Sequence, residues 1–208
     1  MTRETEIRVD SLEALERLYG DVARPSILKE TDHIHAAYRP FIERAPFLVL
    51  ATAGPEGLDA SPRGDAPGFV HIEDSRTLLL PDRRGNNRID SLRNIVSDPR
   101  VALIFLIPGI GETLRINGMA EILVDPALLS RFAVQGQAPK SVLRISVRAV
   151  YFQCSRAVIR AGLWKPESHI ERDALPTPGQ ILKALSQSEF DGDAYDEALP
   201  GRIATTLY

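Results

Sequence analysis

Two segments of this chain constrain its fold more than any other feature. Across residues 113–124, Leu114, Ile116, Ala120 and Ile122 alternate with Arg115, Asn117, Met119 and Glu121. Across residues 142–152, Leu143, Ile145, Val147, Ala149 and Tyr151 alternate with Arg144, Ser146 and Arg148. A period of two sends successive side chains to opposite faces of a strand, so each segment offers one apolar face to a core and one polar face to water. Weaker strand signals surround them. Residues 47–53 are rich in Phe, Val and Leu and run into the turn cluster Gly54-Pro55-Glu56-Gly57, after which residues 58–63 resume an extended pattern, predicting a hairpin. Residues 69–72 and 77–80 flank the polar turn Glu73-Asp74-Ser75-Arg76 and predict a second hairpin. Residues 101–107 form a continuous apolar run that Pro108-Gly109-Ile110-Gly111 turns into the first alternating segment. Six or seven strands joined mostly by short turns pair antiparallel, and a sheet of that size removes its edges by closing into a barrel. The expected class is mainly β with flanking helices, α+β.

Helices punctuate this pattern. Leu12, Leu15 and Leu18 recur at helical spacing over residues 10–19, with Asp10 and Glu13 placed as a capping box. A second helix is expected from Thr31 or Asp32 to Ala45, kinked or restarted by Pro40 and ended by Pro46. Residues 86–96 put Ile89, Leu92, Ile95 and Val96 on one helical face before Asp98-Pro99 stops them, and a short helix is expected over residues 125–133. Past the last strand the chain reads as helical and irregular, broken by Pro176, Pro178 and Pro200. The organisation is therefore an N-terminal helical extension (1–45), a barrel domain (46–155), and a C-terminal extension (156–208) that packs on the barrel or on a dimer. There is no internal repeat.

Composition narrows the function classes. With 44% hydrophobic and 25% charged residues the chain is not disordered, and no apolar run approaches the ~20 residues that span a bilayer. Residues 1–10 lack the apolar core and cleavage site of a secretory signal, and the single cysteine, Cys154, permits neither an internal disulfide nor a thiolate metal cluster; the expected compartment is the cytoplasm. A net charge of −3 gives no global case for nucleic acid or an anionic membrane, so an anion site has to be local. His33 and His35, two apart on the expected helix, point away from each other, His71 and His169 are isolated, and no zinc, calcium or P-loop spacing occurs, so no metal is expected. Cys154 reads as a buried structural thiol and Trp164 as a packing residue.

Two polar clusters remain. Pro81-Asp82-Arg83-Arg84-Gly85-Asn86-Asn87-Arg88 ends one strand and opens the 86–96 helix. Arginines beside a helix N-terminus are electrostatically misplaced unless an anion is present, because the free amides there already carry partial positive charge. A phosphate would resolve the conflict, whereas a solvated basic turn is the plainer alternative. Ser61-Pro62-Arg63-Gly64-Asp65 lies where the second strand breaks into a Gly- and Pro-rich loop, either as a site or as a charged turn closed by Asp65.

Taken in order, FLVLAT (47–52), ASPRGD (60–65), LLLPDRRGNNRIDSLRNI (78–95), DPRVALIFLIPG (98–109), GETLRING (111–118) and WKPESHI (164–170) resemble the pyridoxamine 5′-phosphate oxidase-like, flavin-binding split-barrel proteins. The resemblance implies an antiparallel six-stranded split β-barrel that forms a homodimer with FMN at the subunit interface. By the same resemblance Ser61, Arg63 and the stretch Asp82, Arg83, Arg84, Asn86, Asn87, Arg88 to Ser91 would hold the FMN phosphate. Pro62 and Gly64 would lie near the flavin ring, and the partner subunit's fifth strand would bring Thr113, Arg115 and Asn117 to it. The chain departs from the substrate-specific oxidase in two respects: its phosphate run lacks a lysine, and the C-terminal Arg- and His-rich segment that grips pyridoxal phosphate is missing. What is implied is an FMN-dependent oxidoreductase acting on a small organic substrate, with no catalytic acid or base singled out. A flavin-binding or sequestering protein without turnover, and a haem- or deazaflavin-binding member of the same barrel, are the alternatives.

Overall fold

The structure is a computed structural model that describes residues 8–208. Residues 1–7, within the stretch read as free of an export signal and at the start of the N-terminal extension, lie outside the described residues. Seven strands form one antiparallel sheet in the order β2-β1-β5-β6-β7-β4-β3. They are β1 (Phe47–Gly54), β2 (Gly57–Gly64), β3 (His71–Asp74), β4 (Thr77–Asp82), β5 (Arg100–Leu106), β6 (Thr113–Leu123) and β7 (Ser141–Gln153). The family resemblance implied six strands; the sheet has seven, the upper count of the sequence pattern, and β3 of the expected second hairpin is a four-residue strand at its edge. The two alternating segments are β6 and β7, the longest strands, paired along their length from Thr113↔Gln153 to Leu123↔Val142, with one irregularity at Asn117/Gly118.

Alternation becomes a core. Leu48 and Leu50 of β1, Leu103 and Phe105 of β5, Leu114 and Ile116 of β6, and Leu143 and Ile145 of β7 are almost wholly buried. Burying each such side chain contributes about 1.5–3 kcal/mol relative to exposure. The sheet also curls: Arg63 Nη2 on β2 comes within 3.8 Å of Asp82 Oδ1 on β4, although four strands separate β2 from β4 in the sheet order. Strand twist accumulated across the sheet brings its two sides together without a backbone ladder between them, which is a split barrel.

Helix α4 (Asp90–Ser97) lies at this seam and packs on β1, β2 and β6. Ser91 Oγ donates to Asp59 Oδ2 of β2 at 2.5 Å, and Asn94 Nδ2 donates to Thr52 Oγ1 of β1 at 3.1 Å. The other helices are α1 (Leu12–Tyr19), α2 (Arg24–Leu28), α3 (Arg39–Arg44), α5 (Pro126–Arg131), α6 (Arg156–Ala161), α7 (Pro178–Leu185) and α8 (Gly192–Thr206). None among the described residues is long and apolar enough to cross a membrane.

Several expectations are corrected. Helix α1 is capped by Ser11, whose side chain accepts from the Ala14 amide, so the Asp10–Glu13 box does not form. The helix expected from Thr31 or Asp32 to Ala45 is confined to α3, because Thr31 exchanges backbone hydrogen bonds with Val150 and the Ile34 amide donates to Ser75, which ties the chain to the barrel edge. Pro40 sits in the first turn of α3, where its missing amide costs nothing. His33 and His35 are thus on a loop, their rings edge to face at 6.2 Å. Cys154 is exposed, just before α6, and not the buried thiol expected.

Candidate functional site

A cavity of about 550 Å³ opens at the seam, between the end of β2, the end of β4, the 83–89 loop and the first turn of α4. That volume is within the ~300–1,000 Å³ of small-molecule sites. The two clusters that sequence reading kept apart meet here, since Ser61, Pro62, Arg63 and Gly64 face Asp82, Arg83, Arg84, Asn86, Asn87, Arg88 and Ser91 across one space.

Each element places its residues for a local reason. Residues 61 and 63 share one face of β2, and Arg63 is held by several contacts. It donates to Ser61 Oγ, to the Pro62 carbonyl at 3.0 Å and to Ser91 Oγ at 3.4 Å. Between β4 and α4 the chain twists twice into left-handed backbone, at Asn87 (φ 59°) and Ile89 (φ 54°). The Asn86 side chain accepts from the Arg88 amide at 3.1 Å, a turn that competes with helix. Helix α4 therefore starts at Asp90 and not at Asn86, and the arginines precede the helix and do not occupy its first turn.

Five cationic side chains, Arg63, Arg83, Arg84, Arg88 and Lys140, line the cavity against three carboxylates, Asp59, Asp82 and Asp90. In a chain of net charge −3 the cluster is locally positive. The cations are not equivalent. Arg83 Nε is 2.7 Å from Asp65 Oδ2, whose side chain is 4% exposed, and its Nη1 donates to the Phe132 carbonyl at 2.5 Å. Arg88 Nε is 2.8 Å from Asp90 Oδ2. Arg84 has no hydrogen-bond or ion-pair partner among the described residues. Lys140 Nζ donates only to the neutral Asn87 Oδ1, at 3.1 Å. Burial pushes the Asp82 carboxyl above its ordinary range, against the pull of Arg63 and Lys140. Burial would do the same to Asp65, but hydrogen bonds from the Ala66 amide, Arg83 and the Tyr208 hydroxyl outweigh it and hold that carboxyl low.

Thr113 and Arg115 are not among the residues lining the cavity. Thr113 is buried on β6 with its hydroxyl unpaired, and Arg115 stacks on the Tyr151 ring at 5.1 Å. Within one chain the structure does not bring them to the other site residues. Conversely, sequence reading missed Asp59, Phe69 and Lys140, which line the cavity, and Tyr208, whose hydroxyl donates to Asp65. Lys140, a residue with no local signal beyond its place just before a strand, lines the cavity beside the lysine-free 83–88 run. Among the described residues no cluster of three metal-ligating side chains occurs.

Fold and site together define a split β-barrel with a cationic cleft at its seam. Residues 34–154, more than half of the chain, match the family model of pyridoxamine 5′-phosphate oxidase, and the chain belongs to that family. Solved structures of similar fold are distant in sequence. Tagged HupZ of Group A Streptococcus is 20% identical over 59% of this chain and 95% of its own, with a TM-score of 0.47. General stress protein 26 of Bacillus anthracis is 16% identical over 54% of this chain and 88% of its own, with a TM-score of 0.41. An FMN-binding protein of Syntrophomonas wolfei is 11% identical over 68% of this chain and 95% of its own, with a TM-score of 0.42. No curated protein matches the chain.

Proposed function

We propose that this protein is an FMN-dependent oxidoreductase acting on a small organic substrate as a homodimer, with the flavin phosphate held in the seam cleft. The observation that carries the reading is the pair Arg84, which has no hydrogen-bond or ion-pair partner among the described residues, and Lys140, whose ammonium donates to the neutral Asn87, both facing the cleft. Positive charge left unneutralised beside free amides and asparagine side chains is the donor set of a phosphate site. Phe69, Pro62, Pro81 and Leu92 line the same cavity and offer apolar surface for a planar ring system. Bound FMN would supply the hydride or electron transfer. The residues of the chain do the rest: Arg84, Lys140, Asn86 and Asn87 neutralise and orient the phosphate, while Arg63, fixed by Ser61 and Ser91, adds a rigid donor. In the dimer, Thr113 and Arg115 are assigned to the flavin ring of the partner's site. The cavity lining includes no His, Cys, Met or Tyr of the kind that holds haem iron, so its chemistry suits a phosphate better than a haem.

The test is the visible absorption spectrum of the freshly purified protein, with mass spectrometry of the ligand released on denaturation. A flavin spectrum with FMN released is expected, followed by bleaching when reduced nicotinamide nucleotide is added. A colourless protein that does not take up added FMN overturns the reading. A flavin that no reductant bleaches leaves a binding protein without turnover.

A further inference from the structure

The C-terminal extension does not settle on the barrel. Helices α7 and α8 form a hairpin bonded within itself: the Gly179 amide donates to Asp196 Oδ1 at 2.8 Å, Thr177 Oγ1 donates to the same carboxylate, and Lys183 Nζ is 3.0 Å from Asp193 Oδ2. Where the helices meet, a Cβ on Gly179 would stand 2.0 Å from the Gly192 carbonyl oxygen, so only glycine allows so close an approach. These two glycines are the only buried residues of either helix. Among the described residues a single hydrogen bond, from the Tyr208 hydroxyl to Asp65 Oδ1 at 2.9 Å, joins residues 176–208 to residues 46–155. Ile181, Leu182, Leu185, Phe190 and Ile203 stay exposed, Leu185 by 79%. A hairpin fixed by one bond, with its apolar side chains open, presents an interaction surface.

Charge says what fits it. Residues 165–208 carry eight Asp or Glu against four Lys or Arg, whereas residues 126–164 carry six Lys or Arg and no acid. Helix α6 displays two of those cations, Arg156 and Arg160, one turn apart, beside exposed Ile159 and, just past the helix, exposed Leu163. Like charges at that spacing repel, and neither guanidinium has a hydrogen-bond or ion-pair partner among the described residues. On the hairpin the side chains of Glu189 and Glu197 are exposed and equally unpaired there. The chain thus carries an acidic apolar face and a basic apolar face that make no bond with each other within one copy. Two copies about a twofold axis satisfy both, because the contact of hairpin with α6 then occurs twice. The two helices are also of the size of one side of a standard interface, about 20–30 residues.

We propose that the α7–α8 hairpin is the arm that holds two copies of this chain together, seated on α6 of the second copy with its glutamates against that helix's arginines. This rests on the homodimer of the proposed function and assigns the surface that forms it.

The test is the dimer Kd of the full chain, measured by analytical ultracentrifugation, with circular dichroism to show that each variant is folded. The parent is expected to be a dimer. Arg156→Glu with Arg160→Glu is expected to raise the Kd at least about tenfold, as is Glu189→Lys with Glu197→Lys, and the chain carrying all four substitutions to return to within about threefold of the parent. A Kd unchanged in either charge variant, or weakened in both and not restored in the combination, overturns the proposal and leaves the homodimer to another surface. A parent that sediments as a monomer at every concentration removes the homodimer reading as well, and FMN uptake, read separately by absorbance, shows whether the seam site stands without it. Leu185→Lys provides a second variant: weaker dimerisation is expected, and a Kd equal to that of the parent counts against the arm.

Discussion

Arg83 and Arg84, adjacent in sequence, meet different partners, and substitution separates their roles. Arg83 is neutralised by Asp65, so Arg83→Ala strands a buried carboxylate and is expected to lower stability. Arg84 has no partner among the described residues, so Arg84→Ala should leave the melting temperature unchanged and weaken FMN by roughly ten- to a hundredfold, the loss of about 1.5–3 kcal/mol in charge-assisted bonds. Parallel melts and titrations of the two variants check this, and equal FMN affinity for parent and Arg84→Ala would sink the phosphate assignment. Asp82 gives the pH test. Its carboxyl is raised above the ordinary 3.8, first by burial. Stability is therefore lost as pH rises through the raised value and stays lower at neutrality. Asp82→Asn is expected to melt higher than the parent near neutrality, with the gain shrinking as pH falls toward the ordinary carboxyl value. Asp65 has the opposite sign: its carboxyl is held low, so its contribution is complete above 3.8 and is lost as pH falls through the depressed value. Arg83→Ala should accordingly move acid unfolding to higher pH.

At the level of elements, the site depends on how closely α4 approaches β1. A Cβ placed on Gly54 would overlap the Asn94 side chain and stand 3.2 Å from the Asn94 Cα, so the helix itself has to move. Gly54→Ala is expected to cost about 1–3 kcal/mol and to weaken flavin binding as well, because α4 carries Ser91, whose hydroxyl joins Asp59 and Arg63. Denaturant unfolding and FMN titration of the variant check both, and a stable variant with altered binding alone would count against the packing argument. The start of α4 also marks the limit of reading local pattern. Ile89, Leu92 and Ile95 have helical spacing, yet Ile89 is left-handed and lies before the helix. Apolar periodicity reports which side chains face the core, and it does not register the Asn86 turn that delays the helix. The same limit explains residues 31–38, where bonds to Val150 and Ser75 replaced the expected helix.

Across the whole molecule, binding should appear as stability. FMN at about a hundred times its Kd adds roughly 2.7 kcal/mol to the folded state. For a chain of this size that corresponds to a rise of about 5–10 °C in Tm, measured by differential scanning calorimetry with and without flavin. An unchanged Tm at saturating FMN would contradict the seam site. Side-chain alternation is a local property of each segment, so β6, β7 and the β1–β2 hairpin are legible in the residues alone, as are the two polar clusters. That these clusters form one cavity, and that Asp59 and Lys140 join it, depends on which strands the fold sets side by side. Those proximities arise from strand order and from twist accumulated along the six strands from β2 to β4 inclusive, terms that no window of neighbouring residues contains.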